Sequence, residues 1–152
     1  MIPVAQRTRF DCLTACLASI FECRYEDVPV FCDQETGESA PLWHVALDGW
    51  LADRGFAFLQ RVREEGMDDD PMFCPWAYPG YWIVGVKSPR VDGEHAVVMC
   101  GRELVWDPHP EREQGHRGFL SADHFVPLDP ARLRLDRPSV APAGEPKIGA
   151  VT

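Results

Sequence analysis

Apolar residues at Cys12, Leu13, Ala15, Cys16, Leu17, Ile20 and Phe21 recur at helical spacing and predict a helix over about residues 12–23. Asp11 stands where a helix cap belongs, and its carboxylate is expected to accept from the first free backbone N–H groups. Residues 1–10 read as a short extended segment. Tyr25 to Phe31 reads as a short helix interrupted by Pro29, and residues 33–40 as a polar loop. Pro41 opens a second long helix, with Leu42, Val45, Leu47, Trp50 and Leu51 as its apolar stripe and Gly55 as its stop.

The second half changes period. Phe56 to Arg61, Tyr81 to Lys87, residues 94–100 and residues 103–107 read as strands, the last two joined by a tight hairpin at Gly101-Arg102. Residues 64–80, with four Pro or Gly after an acidic run, read as a long loop, and so does PHPEREQGHRG. Ser121 to Phe125 reads as one helical turn, and Val126 to Leu128 as at most an edge piece, because Pro127 cannot donate to a ladder. Helices first and an antiparallel meander afterwards make an α+β pattern. The expected organisation is one domain over 1–137 and a flexible tail over 138–152, where little can be buried.

Composition adds exclusions. A chain of 152 residues with 45% hydrophobic residues can bury a core without disulfides. Its net charge of −9 disfavours nucleic acid and anionic membrane surfaces as partners, since both require cationic protein. No apolar run approaches the roughly 18 residues of a membrane helix. The start shows no export signal, so the expected compartment is the cytoplasm, with its six Cys reduced.

Candidate chemistry gathers on Gln6, Cys12, His95 and Asp107. A nucleophilic thiol needs a field favouring thiolate, an adjacent base and donors for the oxyanion. Cys12 lies in the first helical turn, whose N–H groups favour thiolate; Asp11 opposes that effect unless it is turned into other bonds. Folding the hairpin about residues 101–102 brings His95 opposite the neighbourhood of Asp107, where a carboxylate can hold the imidazole tautomer. Gln6 can place an amide donor at the oxyanion.

The pattern Gln-x4-Asp-Cys-x3-Cys-Leu-Ala-x-Ile, followed by a strand with His and a strand ending Asp-Pro, resembles the papain-like cysteine peptidases. Within them it is most similar to the bacteriocin-processing peptidase domains that cleave double-glycine leaders. The resemblance covers about residues 1–108. It implies a papain-like fold, with a helical half carrying Cys12 and an antiparallel sheet half carrying His95 and Asp107. It also implies acyl transfer on a peptide or protein substrate without a cofactor, in a bacterial or phage setting. Leu13 stands where the family has Gly after the nucleophile, and its side chain is expected to reshape the substrate cleft.

Other residues carry less. Trp76, in the loop Cys-Pro-Trp-Ala-Tyr-Pro, and His109, after the Asp-Pro pair, are candidates to line the cleft; a surface loop is the other reading of His109. Cys16 reads as core. The cysteine spacings lack the close pairs of a zinc site, and EEGMDDD lacks calcium-loop spacing, so no metal is expected. His44 reads as packing or surface, His116 and His124 as surface. Two further readings use the same residues: an acyltransferase in which an amine replaces water, and a non-catalytic module that holds a peptide in the cleft.

Overall fold

The computed structural model describes residues 1–64, 79–88, 93–109 and 117–128. They form an α+β structure. Helix α1 spans Cys12–Ile20, a 3-10 turn Tyr25–Asp27, and helix α2 Trp43–Ala52. The strands are β1 (Phe56–Val62), β2 (Tyr81–Lys87), β3 (Glu94–Cys100), β4 (Glu103–Trp106) and β5 (Arg117–Pro127). They make one antiparallel sheet in the order β1-β5-β2-β3-β4.

Both faces of the central strands are buried, which explains the near-continuous apolar runs in β2 and β3. On one face Ile83, Ala96, Val98 and Phe125 pack against Leu17, Leu47 and Leu51 of the helices. Alternation puts Trp82, Val84, Val97 and Met99 in a second buried cluster with Phe119 and Ala122. Phe21, just past α1, is the aromatic hub of the first cluster. Its ring meets Trp50, Phe56 and Phe125 edge-on at 5.2, 5.2 and 5.3 Å between centroids.

Several boundaries differ from the sequence reading. α1 ends at Ile20, because Phe21 leaves the helical path to reach this hub and Glu22 turns at φ 51°. The expected helix after Tyr25 is a single 3-10 turn. α2 starts two residues after Pro41, with Leu42 left-handed at φ 56°. Leu42 and Val45 are exposed, so the buried stripe reduces to Leu47, Trp50 and Leu51.

The largest correction concerns Ser121 to Phe125, which is not a helical turn but the centre of β5. This strand pairs with β1 on one side and β2 on the other, and Pro127 sits opposite Phe56 where the ladder ends. A bulge explains the misreading. Gly85 pairs with Ser121 and Val86 with Phe119, so Leu120 is skipped and the period-2 pattern breaks. His124, expected at the surface, is buried in β5 and stacks on Trp82 at 5.3 Å. The expected tail, the acidic loop after Glu64, Cys74 and Trp76 lie outside the described residues.

Because β5 is hydrogen-bonded on both sides, proline in it is costly. Ala122→Pro is expected to destabilise the fold by on the order of 3 kcal/mol, through a lost ladder bond and steric clash. Urea unfolding checks this. A turn at this position would tolerate the change.

Candidate functional site

The helix and the sheet meet at Ala96. β4 pairs with β3 only as far as Val98 opposite Trp106, so the edge of β3 at Ala96 is left for α1. The Ala96 N–H donates to Cys12 Sγ at 3.4 Å, and Cys16 Sγ donates to the Ala96 carbonyl at 3.4 Å. Cys12 and Cys16 share a helix face, so both sulfurs reach the same strand residue. Cys12, the first residue of α1, is thereby set beside His95.

The His95 ring is buried and doubly engaged. Its Nε2 lies 2.8 Å from Asp107 Oδ1, and it also hydrogen-bonds Cys12, which leaves Nδ1 as the nitrogen on the sulfur side. Burial alone draws the His95 pKa down, but the bonds to Asp107 and Cys12 outweigh it and raise it from 6.5 to about 9. Asp107 lies one residue beyond β4 rather than within it. Its Oδ1 also accepts the His109 N–H at 2.9 Å, which fixes the carboxylate. His109 is close to the site, its ring edge-on to His95 at 6.5 Å.

Asp11 does not cap α1. Its carboxylate accepts the Arg7 N–H at 2.8 Å, the Thr8 N–H at 3.1 Å and the Tyr25 hydroxyl, all from outside the helix. Burial and that bond push the Tyr25 phenol up. The expected opposition of Asp11 to a negative sulfur is thus met by three donors on the carboxylate.

Gln6 is buried behind this arrangement. Its backbone N–H donates to the Pro108 carbonyl at 2.9 Å, next to Asp107. The side-chain Nε2 donates to the Thr8 carbonyl at 2.8 Å, which sets the amide orientation, while Oε1 is buried with no hydrogen-bond partner among the described residues. Gln6 is not among the residues that line the cleft.

A cleft of about 410 Å³ opens onto Cys12, Leu13 and His95. One wall is Phe10, Phe31, Cys32 and Trp43; the floor is the sheet face around Gly85, with Gln60, Glu94 and Asp123. Leu13 lines it, His109 is not among its lining residues, and Trp76 lies outside the described residues. Burial, with the neighbouring Cys12, Asp11 and Asp33, pushes the Cys32 thiol up, and Cys16, fully buried, is pushed up further. The acidic floor was missed in the sequence reading. Its signal is a charged residue, Asp123, between the apolar pairs Phe119-Leu120 and Phe125-Val126. Among the described residues no cluster of His, Cys, Asp or Glu could hold a metal ion, and no helix is long and apolar enough to cross a membrane.

No protein-family model matches the chain, and neither a curated protein nor a solved structure does.

The raised His95 pKa has a signed consequence. A group held at about 9 against 6.5 contributes stability that is complete below about pH 6.5 and is lost as pH rises through about 9. Asp107→Asn removes the carboxylate whose hydrogen bond is the larger of the two that raise it. An NMR titration of the His95 ring is expected to show its midpoint fall, with the stability loss moving to lower pH. An unchanged midpoint would contradict the coupling.

Proposed function

We propose that the chain is a papain-like cysteine hydrolase that acts on a peptide-like amide through Cys12, His95 and Asp107. The observation that carries this reading is the His95 ring, bonded to Cys12 on one side and to Asp107 on the other at the mouth of a substrate-sized cleft.

In the proposed reaction the Cys12 thiolate attacks the substrate carbonyl carbon, forming the C–S bond and placing negative charge on the oxygen. The Cys12 backbone N–H, at the start of α1 with no intrahelical acceptor, would serve as an oxyanion donor. His95 gives its Nδ1 proton to the leaving nitrogen as the C–N bond breaks. It then takes a proton from water, which attacks the thioester and releases the acid and the thiolate. Asp107 keeps the ring oriented throughout. Gln6 would supply a second oxyanion donor from the Nε2 hydrogen not used by Thr8, a role that needs the amide to reach a cleft it does not line here.

The test uses two readouts. Iodoacetamide at mildly acidic pH is expected to label Cys12 before Cys16, Cys23 and Cys32, whose thiols burial pushes up. A library of synthetic peptides is expected to yield new N-termini with the native chain and none with Cys12→Ala. Absence of cleavage, with Cys12 no more reactive than Cys100, would favour a peptide-holding module instead.

Gln6→Ala gives a finer check. Loss of one oxyanion donor is expected to lower kcat by about 10²–10³ and to leave alkylation of Cys12 by iodoacetamide unchanged, since alkylation builds no oxyanion. Wild-type turnover in this variant would reduce Gln6 to a structural residue.

A further inference from the structure

The floor of the cleft is polar where a sheet face under a helix ordinarily packs apolar side chains. Pairing places Gln60 opposite Asp123, and Ser121 opposite Gly85, on the face that carries Ala96. Gly85 is what admits Glu94 to this floor. A Cβ at Gly85 would lie 1.5 Å from Glu94 Oε1 and 2.4 Å from Ser121 Oγ, so the Glu94 side chain fills that space. Ser121 Oγ donates to Glu94 Oε1. The Glu94 carboxylate is thereby drawn across β2 over Gly85, while the residue as a whole stays exposed at the rim of the cleft.

Asp123 is the second acid. It is 6% exposed and lines the cleft. Its Oδ1 accepts from Gln60 Nε2 at 3.0 Å, while Oδ2 has no hydrogen-bond partner among the described residues. Ser121 and Asp123 are two apart on β5, a spacing of roughly 7 Å along one face, so the two carboxylates border the same space. Neither forms an ion pair among the described residues. The cationic groups of the lining are Arg9, whose guanidinium lies 5.6 Å from the Phe10 ring centre, and His95, which is held by Asp107.

We propose that Glu94 and Asp123 form a specificity subsite for a cationic side chain, the ammonium of Lys or the guanidinium of Arg, on the peptide whose carbonyl meets Cys12. This rests on the hydrolase reading above. A buried carboxylate without a cation is costly, and a donor carrying positive charge satisfies Asp123 Oδ2 and the second oxygen of Glu94 together. Ile83 on the same floor offers apolar surface to the alkyl stem. Burial and the charge of Glu94 push Asp123 up to about 7, against the bond from Gln60, and an arriving cation offsets both.

Dipeptidyl chloromethyl ketones test this, since Cys12 sulfur displaces chloride to form a stable thioether that intact mass records. The probes carry Lys, norleucine or Glu at either residue and are compared at pH 8, where Asp123 is ionised. The best Lys probe is expected to label Cys12 about tenfold faster than its norleucine counterpart, with the Glu probe slowest. Asp123→Asn and Glu94→Gln should each bring that preference to about threefold or less, with iodoacetamide labelling of Cys12 unchanged. Glu94→Gln keeps the comparison valid if Asp123→Asn does not fold. Equal rates for Lys and norleucine, a faster Glu probe, or an unaltered preference in both variants overturns the subsite while leaving the nucleophile intact. Failure of iodoacetamide and every probe to label Cys12 overturns the hydrolase reading, and the subsite with it.

Discussion

Ala96 is the residue where helix and sheet are joined, and the geometry of the site follows from that junction. Its N–H and carbonyl are spoken for by two sulfurs one helical turn apart, Cys12 and Cys16. A methyl side chain lets α1 approach the strand closely enough for these bonds. Since His95 is the next residue along β3, the same contact that docks the helix sets its first residue against the imidazole. Cys16 takes no part in the proposed chemistry, yet its bond to the Ala96 carbonyl helps hold Cys12 in place.

The eleven residues before α1 act as a brace for this junction. The Val4 N–H donates to Ser19 Oγ at 2.9 Å and the Val4 carbonyl accepts Trp106 Nε1 at 3.2 Å, which links helix, N-terminal segment and β4. Gln6 extends the brace to Pro108. Asp11 gathers Arg7, Thr8 and Tyr25 around one buried carboxylate, so the turn into α1 is fixed by side chain-to-backbone bonds rather than by a helix cap. The His95–Asp107 pair is tied in twice, through its own hairpin and through this segment.

The cleft departs from the packing rules that govern the rest of the sheet. Gln60, Ser121, Asp123 and Glu94 occupy positions that apolar side chains fill nearer Phe125 and Val98. Burying Asp123 with only one neutral donor costs stability that an apolar residue there would not. Such a cost is expected at a site shaped for a ligand rather than for stability alone.

Local patterns were readable from the chain. The 3.6-residue spacing around Cys16 and Leu17, the apolar runs of β2 and β3, and the Gly101-Arg102 turn each reflect interactions among near neighbours. The approach of His95 to Asp107 was legible for the same reason, because a hairpin sets its own register. β5 was hidden, since a bulge at Leu120 and polar residues facing the cleft erase its alternation. The end of α1 differs because Phe21 answers to distant packing rather than to helix propensity, and α2 starts late because Leu42 turns left-handed ahead of it. Only the tertiary structure could decide that Cys12 meets Ala96, 84 residues away, that Asp11 turns back from the helix, and that Glu94 folds over Gly85. Those contacts depend on how a helix docks on a sheet, which is settled by the packing of whole surfaces and leaves no periodic trace in the residues that make them.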